Sequence, residues 1–138
     1  MRIVIDTNVL ISAAICDRVP ELILRWIGAH VDFEWIVSAS LLAEYREVLQ
    51  RPRLGVPVDV QHAWESILGR LPLVEVPSVL EVLIRDPKDR LVLACAIGGR
   101  ADIIVTGDRD FENLEGLSGV EIFTVSQFYQ RYVAVRGV

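Results

Sequence analysis

The sequence predicts an α/β fold with a mostly parallel sheet. Apolar runs of strand length alternate with longer segments of helical periodicity, and no internal repeat, low-complexity tract or linker interrupts them. The chain has 138 residues, of which 52% are hydrophobic, and its mean hydropathy is +0.40. This length and composition allow a substantial core, so we expect residues 1–138 to form a single domain.

Five strands and six helices are expected. The strands fall at residues 3–5, 33–37, 73–76, 103–106 and 121–125. The helices fall at about residues 8–15, 20–30, 40–51, 58–70, 87–97 and 126–132. Prolines and a glycine at positions 52, 55 and 57 separate the third helix from the fourth, and two glycines at 98 and 99 end the fifth. Residues 91–97 include no polar side chain, so this fifth helix should be buried on nearly every side.

Composition disfavours several classes of protein. No apolar run approaches the roughly 18 residues that a membrane span needs, so we expect a cytoplasmic protein with no membrane partner. Cys16 and Cys95 lie in apolar surroundings and are expected to be buried thiols, and His30 and His62 lack the companions of a zinc site. A net charge of −5 argues against binding nucleic acid by bulk attraction, unless several acids surround bound cations.

Asp6 interrupts the first apolar segment directly after a predicted buried strand. A carboxylate in an apolar setting is costly, so it must cap a helix, be paired, or hold a cation. Asp is a favoured N-cap residue, but Thr7 or Asn8 could cap the following helix equally well. Because parallel strands gather chemistry at their carboxyl ends, Asp6 is a candidate site residue.

Glu44 lies at the border of the apolar face of the third helix. That face is a continuous arc made of five residues, Leu41, Leu42, Tyr45, Val48 and Leu49. Glu44 falls beside Val48 at its edge, whereas Glu47 lies on the other side. Glu44 is therefore the acid of this helix best placed to reach the sheet. The alternatives are a boundary residue whose carboxylate extends to water, or an ion pair with Arg46 or Arg51.

Two further acidic motifs occur later in the chain. Asp86, followed by a proline, would cap the fifth helix, and Asp89 would be a first-turn acid. Asp108 and Asp110 come after the strand that ends at Thr106, and either could cap the turn or short helix expected there.

Each of the acids has an adequate structural explanation when it is taken alone. Their expected convergence on one edge of the sheet is harder to explain structurally. Clustered carboxylates raise one another's pKa and destabilise the fold unless a cation neutralises them. Mg²⁺ or Mn²⁺ suits such an oxygen-rich site.

At these residues the sequence resembles a PIN domain, in particular the VapC-like toxins of bacterial and archaeal toxin–antitoxin systems. Four segments carry the resemblance in the family's order and span essentially the whole chain: DTNVLIS, SASLLAEYREVL, DPKDRLVLACAI and IIVTGDRDF. The resemblance implies a three-layer fold whose central sheet, of about five mostly parallel strands, is flanked by helices. It also implies a Mg²⁺- or Mn²⁺-dependent ribonuclease that forms a homodimer and is blocked by an antitoxin.

The resemblance assigns roles to particular residues. It implies that four acids bind the metal and carry catalysis, namely Asp6, Glu44, Asp89 and Asp108. Asp110 is a rival for the last position and Asp86 a lesser rival for the third, while Asn8 and Thr106 match supporting polar positions.

The RNA-contact candidates are basic residues that flank the acidic motifs, namely Lys88, Arg90 and Arg109, although each could equally be a solvated charge or part of a salt bridge. Single-stranded or looped RNA is favoured as the substrate, because the bases of an A-form helix are poorly accessible.

Three alternatives remain at this stage. The first is a PIN nuclease with a housekeeping role in RNA processing. The second is a non-catalytic module that uses the same scaffold to bind a partner. The third is a phosphohydrolase with a nucleophilic Asp6; the haloacid-dehalogenase type would need a second Asp where this chain has Asn8.

Overall fold

The computed structural model describes residues 1–15, 18–83, 90–107 and 119–136. Within these residues a four-stranded parallel sheet has the order β2-β1-β3-β4. The strands are β1 (Arg2–Ile5), β2 (Glu34–Trp35), β3 (Ile103–Thr106) and β4 (Glu121–Thr124). An α/β architecture with a mostly parallel sheet is thereby confirmed.

Helices occupy most of the described connections between strands. They are α1 (Thr7–Ala14), α2 (Arg18–Ala29), α3 (Ala39–Leu49), α4 (Val58–Leu68), α5 (Ser78–Leu83), α6 (Arg90–Gly98), α7 (Val125–Phe128) and α8 (Ala134–Arg136). A short 3₁₀ helix covers Pro52–Leu54, and a π-helical turn, Tyr129–Val133, joins α7 to α8. No helix in the described part of the chain combines the length and the apolar character needed to cross a membrane.

The two inner strands are buried along their apolar residues. Ile3, Val4 and Ile5 are fully buried, and the residues of β3 are at most 1% exposed. Such continuous apolar runs are typical of parallel strands covered on both faces. The register pairs Ile5 with Val105, which brings the carboxyl ends of β1 and β3 side by side.

The amphipathic patterns of α3 and α6 agree with the structure. The buried residues of α3 are the five of the predicted arc, and Ser38 caps the helix by accepting a hydrogen bond from the Leu41 N–H at 3.1 Å. In α6 the five residues from Val92 to Ala96 are all buried, as expected, whereas Ile97 near its end is 44% exposed. Helix α6 packs against β1 and β3, and α3 packs against α6 and bonds through Tyr45 to the last residue of β1.

The predicted strand at residues 73–76 is reduced to one parallel bridge between Val37 and Leu73. Pro72 and Pro77 lie at either end of this segment and have no N–H to extend a ladder. The segment packs against the end of α6 instead: a Cβ on Gly99 would lie 3.0 Å from a side-chain carbon of Val74. A Cβ on Gly98 would likewise lie 3.2 Å from the Cα of Val76, so the close approach depends on both glycines.

Helix α5 (Ser78–Leu83) is absent from the sequence prediction, although Val79, Leu80, Val82 and Leu83 recur at helical spacing. The C-terminal helical region agrees with its pattern more closely. Its start is a capping box in which the Thr124 hydroxyl accepts from the Gln127 N–H and the Gln127 side chain accepts from the Thr124 N–H.

Candidate active site

Asp6 lies at the junction between β1 and α1. Its N–H donates to the Val105 carbonyl at 2.9 Å, and its carbonyl accepts from the Val9 N–H at 2.9 Å. Asp6 thus occupies the N-cap position of α1, but its side chain makes no capping hydrogen bond. The residue is only 6% exposed. Helix capping therefore does not explain why a carboxylate stands here.

The Asp6 carboxylate is bound by a neighbouring strand. Thr106, the last residue of β3 and 1% exposed, donates its hydroxyl to Asp6 Oδ2 at 2.7 Å. The register explains this contact. Ile5 and Val105 are partners, and the residues that directly follow them are Asp6 and Thr106. The structure therefore places Thr106, predicted as a supporting residue, directly against the first predicted acid.

Glu44 reaches the same junction from α3. The Thr7 hydroxyl donates to Glu44 Oε2 at 2.5 Å, and Thr7 directly follows Asp6. Glu44 is half-buried, whereas Glu47 on the same helix is exposed. The structure therefore brings together Asp6 and Glu44, two of the four predicted acids, through adjacent residues of one chain segment.

The arginines near Glu44 have other partners. Arg46 contacts Glu65 with an N–O distance of 2.7 Å, and Arg51 contacts Glu47 at 2.8 Å. Both are exposed ion pairs of the kind that contributes little to stability. Glu44 is therefore not the ion-pair partner of Arg46 or Arg51. The pKa of Arg51 is raised mainly by Glu47, and the charge of Glu44 adds to this rise.

Tyr45 attaches α3 to the residue before Asp6. Its buried hydroxyl donates to the Ile5 carbonyl. Burial raises the pKa of Tyr45 well above its usual value; the neighbouring Trp35 acts against this rise, and the charges of Asp6 and Glu44 add to it. The phenol therefore stays protonated and serves as a donor. Helix α3 thus contacts the residues on both sides of Asp6.

Sequence reasoning did not assign Thr7 and Tyr45 to the site. In the sequence, Tyr45 belongs to the apolar arc of the third helix, and Thr7 is a possible helix cap. The signal available was position: each residue directly follows a predicted acid, Asp6 or Glu44. Sequence could not show that these two residues make the hydrogen bonds between α3 and the β1–α1 junction.

The other predicted site residues fall into two groups. Asn8 is exposed at the second position of α1, and Arg90 is half-buried at the first position of α6. The remaining ones lie outside the described residues, namely Asp86, Lys88, Asp89, Asp108, Arg109 and Asp110. Their positions and roles stay predictions.

The donor set at this edge suits a hard divalent cation. Asp6 and Glu44 each accept a hydroxyl hydrogen bond on one carboxylate oxygen, and a carboxylate has a second oxygen that can bind a metal. All four side chains, including Thr7 and Thr106, offer oxygen atoms, which Mg²⁺ and Mn²⁺ prefer. Among the described residues, no three His, Cys, Asp or Glu side chains group as a metal site.

A groove of about 870 Å³ lies elsewhere on the molecule, between the start of α3, residues 73–80 and the end of α6. Leu73 and Ile97, both exposed, contribute apolar surface to it. Its lining does not include Asp6 or Glu44, so its size is no argument about the chemistry of the acids.

Comparison with known proteins provides independent findings. A protein-family model described as PIN domain matches residues 2–110, a span that contains all of the predicted acids. No curated protein matches the sequence.

Two solved structures are similar in fold. A chain in the crystal structure of VapBC2 from Rickettsia felis, bound to a DNA fragment from its promoter, has a TM-score of 0.63 and 16% identity. The match covers 90% of this chain and 98% of that one. PAE2754 from Pyrobaculum aerophilum has a TM-score of 0.56 and 18% identity, with coverage of 97% and 99%.

Proposed function

This chain belongs to the PIN-domain family, and from that premise we propose that it is a divalent-metal-dependent endoribonuclease, the toxin of a toxin–antitoxin pair. PIN domains are generally nucleases, and PIN nucleases generally use divalent metal ions. The observation that carries the proposal is the pair of carboxylates, Asp6 and Glu44, that two threonine hydroxyls hold at the carboxyl edge of the sheet.

The proposed ligands of the Mg²⁺ or Mn²⁺ ion are the four acids Asp6, Glu44, Asp89 and Asp108. Asp110 is the alternative to Asp108, and Asp86 the alternative to Asp89. Asp6 is only 6% exposed, and a bound cation would offset the cost of burying its negative charge.

The chemistry divides between the ion and the side chains. When bound, the ion lowers the pKa of a water molecule and stabilises the charge that develops on the leaving oxygen. Asp6 and Glu44 contribute negative charge at fixed positions, and one of the carboxylates accepts the proton that the attacking water loses. Thr106 orients Asp6, and Asn8 contributes a further polar group next to it.

Substrate binding should depend on the metal as well. The net charge of −5 and the clustered acids repel a phosphodiester backbone unless a cation is present. We assign backbone contacts to Lys88, Arg90 and Arg109, which flank the acidic motifs. The proposed substrate is single-stranded or looped RNA, whose phosphates and bases are accessible.

The proposed partners are a second copy of this chain and a protein antitoxin, in the cytoplasm. The similarity in fold to a chain of a VapBC2 assembly supports an antitoxin partner. An adjacent reading frame for a short DNA-binding protein would support the toxin role, whereas its absence would favour a PIN nuclease with a housekeeping function.

The proposal is tested by cleavage of single-stranded RNA with Mn²⁺. We expect cleavage that stops in excess chelator, and Asp89→Asn should abolish it because the amide loses the negative charge that binds the ion. Asp59→Asn is the matched control, since Asp59 is an exposed acid in the first turn of α4. Full activity of Asp89→Asn, or in excess chelator, would contradict the proposal.

A metal titration separates an enzyme from a non-catalytic scaffold. A ligand that binds only the native state raises the melting temperature. We therefore expect Mg²⁺ or Mn²⁺ to raise the Tm of this protein, and a PIN scaffold that has lost its site to show no rise. Cleavage of DNA as well as RNA would change only the proposed substrate class.

A further inference from the structure

Three consecutive residues at the β1–α1 junction are each tied to another element by hydrogen bonding. The Ile5 carbonyl accepts from Tyr45 of α3, and the Asp6 carboxylate accepts from Thr106 of β3. The third residue, Thr7, donates its hydroxyl to Glu44 of α3. Two of the three bonds join the junction to α3, through Tyr45 and Glu44, and the third joins it to β3, through Thr106.

We propose that Thr7 is a positioning residue, whose hydroxyl holds the Glu44 carboxylate at the junction so that Glu44 and Asp6 face the same divalent ion. The inference rests on the proposed function, since the ion is the ligand of that same site. It adds Thr7 to the residues that the site requires.

The geometry of the Thr7–Glu44 contact supports this role. Its 2.5 Å distance is in the range of a hydrogen bond from a hydroxyl to an ionised carboxylate. Thr7 is 7% exposed, so water competes little for its hydroxyl. A β-branched side chain also has few χ1 rotamers, which makes threonine a stiff anchor for the bond.

Glu44 needs such an anchor more than Asp6 does. Asp6 follows directly from a buried strand and has a short side chain. Glu44 is half-buried and has a longer side chain, so that several rotamers would carry its carboxylate away from the sheet. The bond from Thr7 selects the rotamers in which Glu44 points to the residue next to Asp6.

The docking of α3 does not depend on Thr7 alone. Tyr45 bonds to Ile5 independently, and the buried arc of α3 packs against the core. Removing the Thr7 hydroxyl should therefore release the Glu44 carboxylate while leaving the helix in place. This separation makes the proposal testable in a folded protein.

The test compares Thr7→Val, which replaces the hydroxyl by a methyl group of similar shape, with Thr7→Ser, which keeps a hydroxyl. Mn²⁺ affinity is measured by calorimetry on the whole chain, along with the Mn²⁺-induced rise in Tm and RNA cleavage. We expect Thr7→Val to weaken Mn²⁺ binding about 10- to 100-fold, the usual effect of losing a residue that orients a metal ligand. High Mn²⁺ should restore part of its activity, and Thr7→Ser should bind Mn²⁺ nearly as the wild type does.

Ser38→Ala is the matched control. It removes another buried hydroxyl, the one that caps α3, without touching Thr7 or Glu44. We expect it to lower the Tm while leaving Mn²⁺ affinity unchanged, which separates weakening of the helix from misplacement of the carboxylate. If Thr7→Val does not fold, Thr7→Ala is measured in its place.

The outcomes distinguish this proposal from the proposed function. Wild-type protein that binds no Mn²⁺ would overturn both. Wild-type affinity in a folded Thr7→Val, with normal metal binding in the wild type, would overturn only the role of Thr7. The same conclusion would hold if Thr7→Ser were impaired as much as Thr7→Val, because the hydroxyl would then not be the group that matters.

Discussion

Asp6 and Asp102 stand at opposite ends of neighbouring strands. Asp6 directly follows β1 at the carboxyl edge of the sheet, and Asp102 directly precedes β3 at the amino edge. The backbone N–H of each donates to a carbonyl of the other strand, that of Val105 at 2.9 Å for Asp6 and that of Arg2 at 2.8 Å for Asp102. The two residues therefore have equivalent positions in the hydrogen-bond ladder.

Their side chains differ. The carboxylate of Asp102 is exposed and accepts from the backbone N–H of Arg2 at 2.8 Å, so it completes the end of the strand pair. The carboxylate of Asp6 is buried and accepts from the Thr106 hydroxyl, with Glu44 bound to the next residue. The acid at the amino edge thus has an ordinary structural role, whereas the pair of acids held by hydroxyls at the carboxyl edge belongs to the proposed site.

The largest expected effect is that of Asp6→Asn, for which the same substitution at Asp102 is the control. Asp6→Asn keeps an oxygen that can accept from Thr106 but removes the negative charge. We expect Mn²⁺-dependent RNA cleavage to fall by more than about 100-fold, because losing a ligand should exceed the effect of losing a residue that orients one. Without metal the variant should be at least as stable as the wild type, since a buried charge has been removed.

Asp102→Asn is the control at the amino edge. We expect near-normal cleavage and a normal Mg²⁺-induced rise in Tm, both of which Asp6→Asn should lose. Equal losses from the two substitutions would show that the carboxyl edge is no more a functional site than the amino edge.

A smaller effect is expected from Thr106→Val, which removes the hydroxyl 2.7 Å from Asp6 Oδ2. Mn²⁺ affinity should fall about 10- to 100-fold, because the carboxylate loses a group that orients it. The free energy of unfolding should fall by about 2 kcal/mol, a typical contribution of a hydrogen bond to a charged acceptor. Calorimetry and urea denaturation measure the two quantities.

Thr124→Val is the control for Thr106→Val, because the two threonines are register partners at the ends of β3 and β4. The Thr124 hydroxyl caps α7, so its loss should cost about 1 kcal/mol of stability without changing Mn²⁺ affinity. A similar loss of affinity in both variants would mean that any threonine at this edge matters equally.

The smallest effect concerns Cys95, which lies in the interior between the two edges. Burial raises the pKa of its thiol to about 11, while hydrogen bonds with Ser38 act in the opposite direction. In the unfolded chain a cysteine thiol ionises at about pH 8.5. The stability that burial of the neutral thiol provides is therefore complete below that pH and is lost as the pH rises towards 11.

We therefore expect the wild-type Tm to fall more steeply with pH in this window than that of Cys95→Ala. Cys16 is present in both proteins, so its contribution cancels. Because the pKa of Tyr45 is also raised, the Tm should fall further at still higher pH, and this second fall in Tm should persist in Cys95→Ala. Parallel curves of Tm against pH for the two proteins would contradict the prediction.

The elements that could be predicted from sequence are those with a strong local pattern. The apolar runs of β1 and β3, the arc of α3 and the buried face of α6 all appear where expected. A buried run or face is visible in sequence because every residue in it obeys the same constraint. That residues 1–138 form one domain stays a prediction.

The less predictable parts depend on contacts between distant segments. The strand expected at residues 73–76 is a single bridge, because the flanking prolines lack the N–H groups that would extend the ladder. Thr7 looked like a possible cap, and Tyr45 like an ordinary core residue. Their roles emerge only when α3 is docked on the β1–α1 junction.

The amino-acid sequence by itself determined which acids follow buried strands and which helical acid borders an apolar face, because burial and periodicity are written locally in the chain. Only the tertiary structure decided that Asp6 meets Thr106, 100 positions away, and that Glu44 meets Thr7, 37 positions away. Strand register and helix docking set these meetings, and both result from packing the whole core rather than from any single segment.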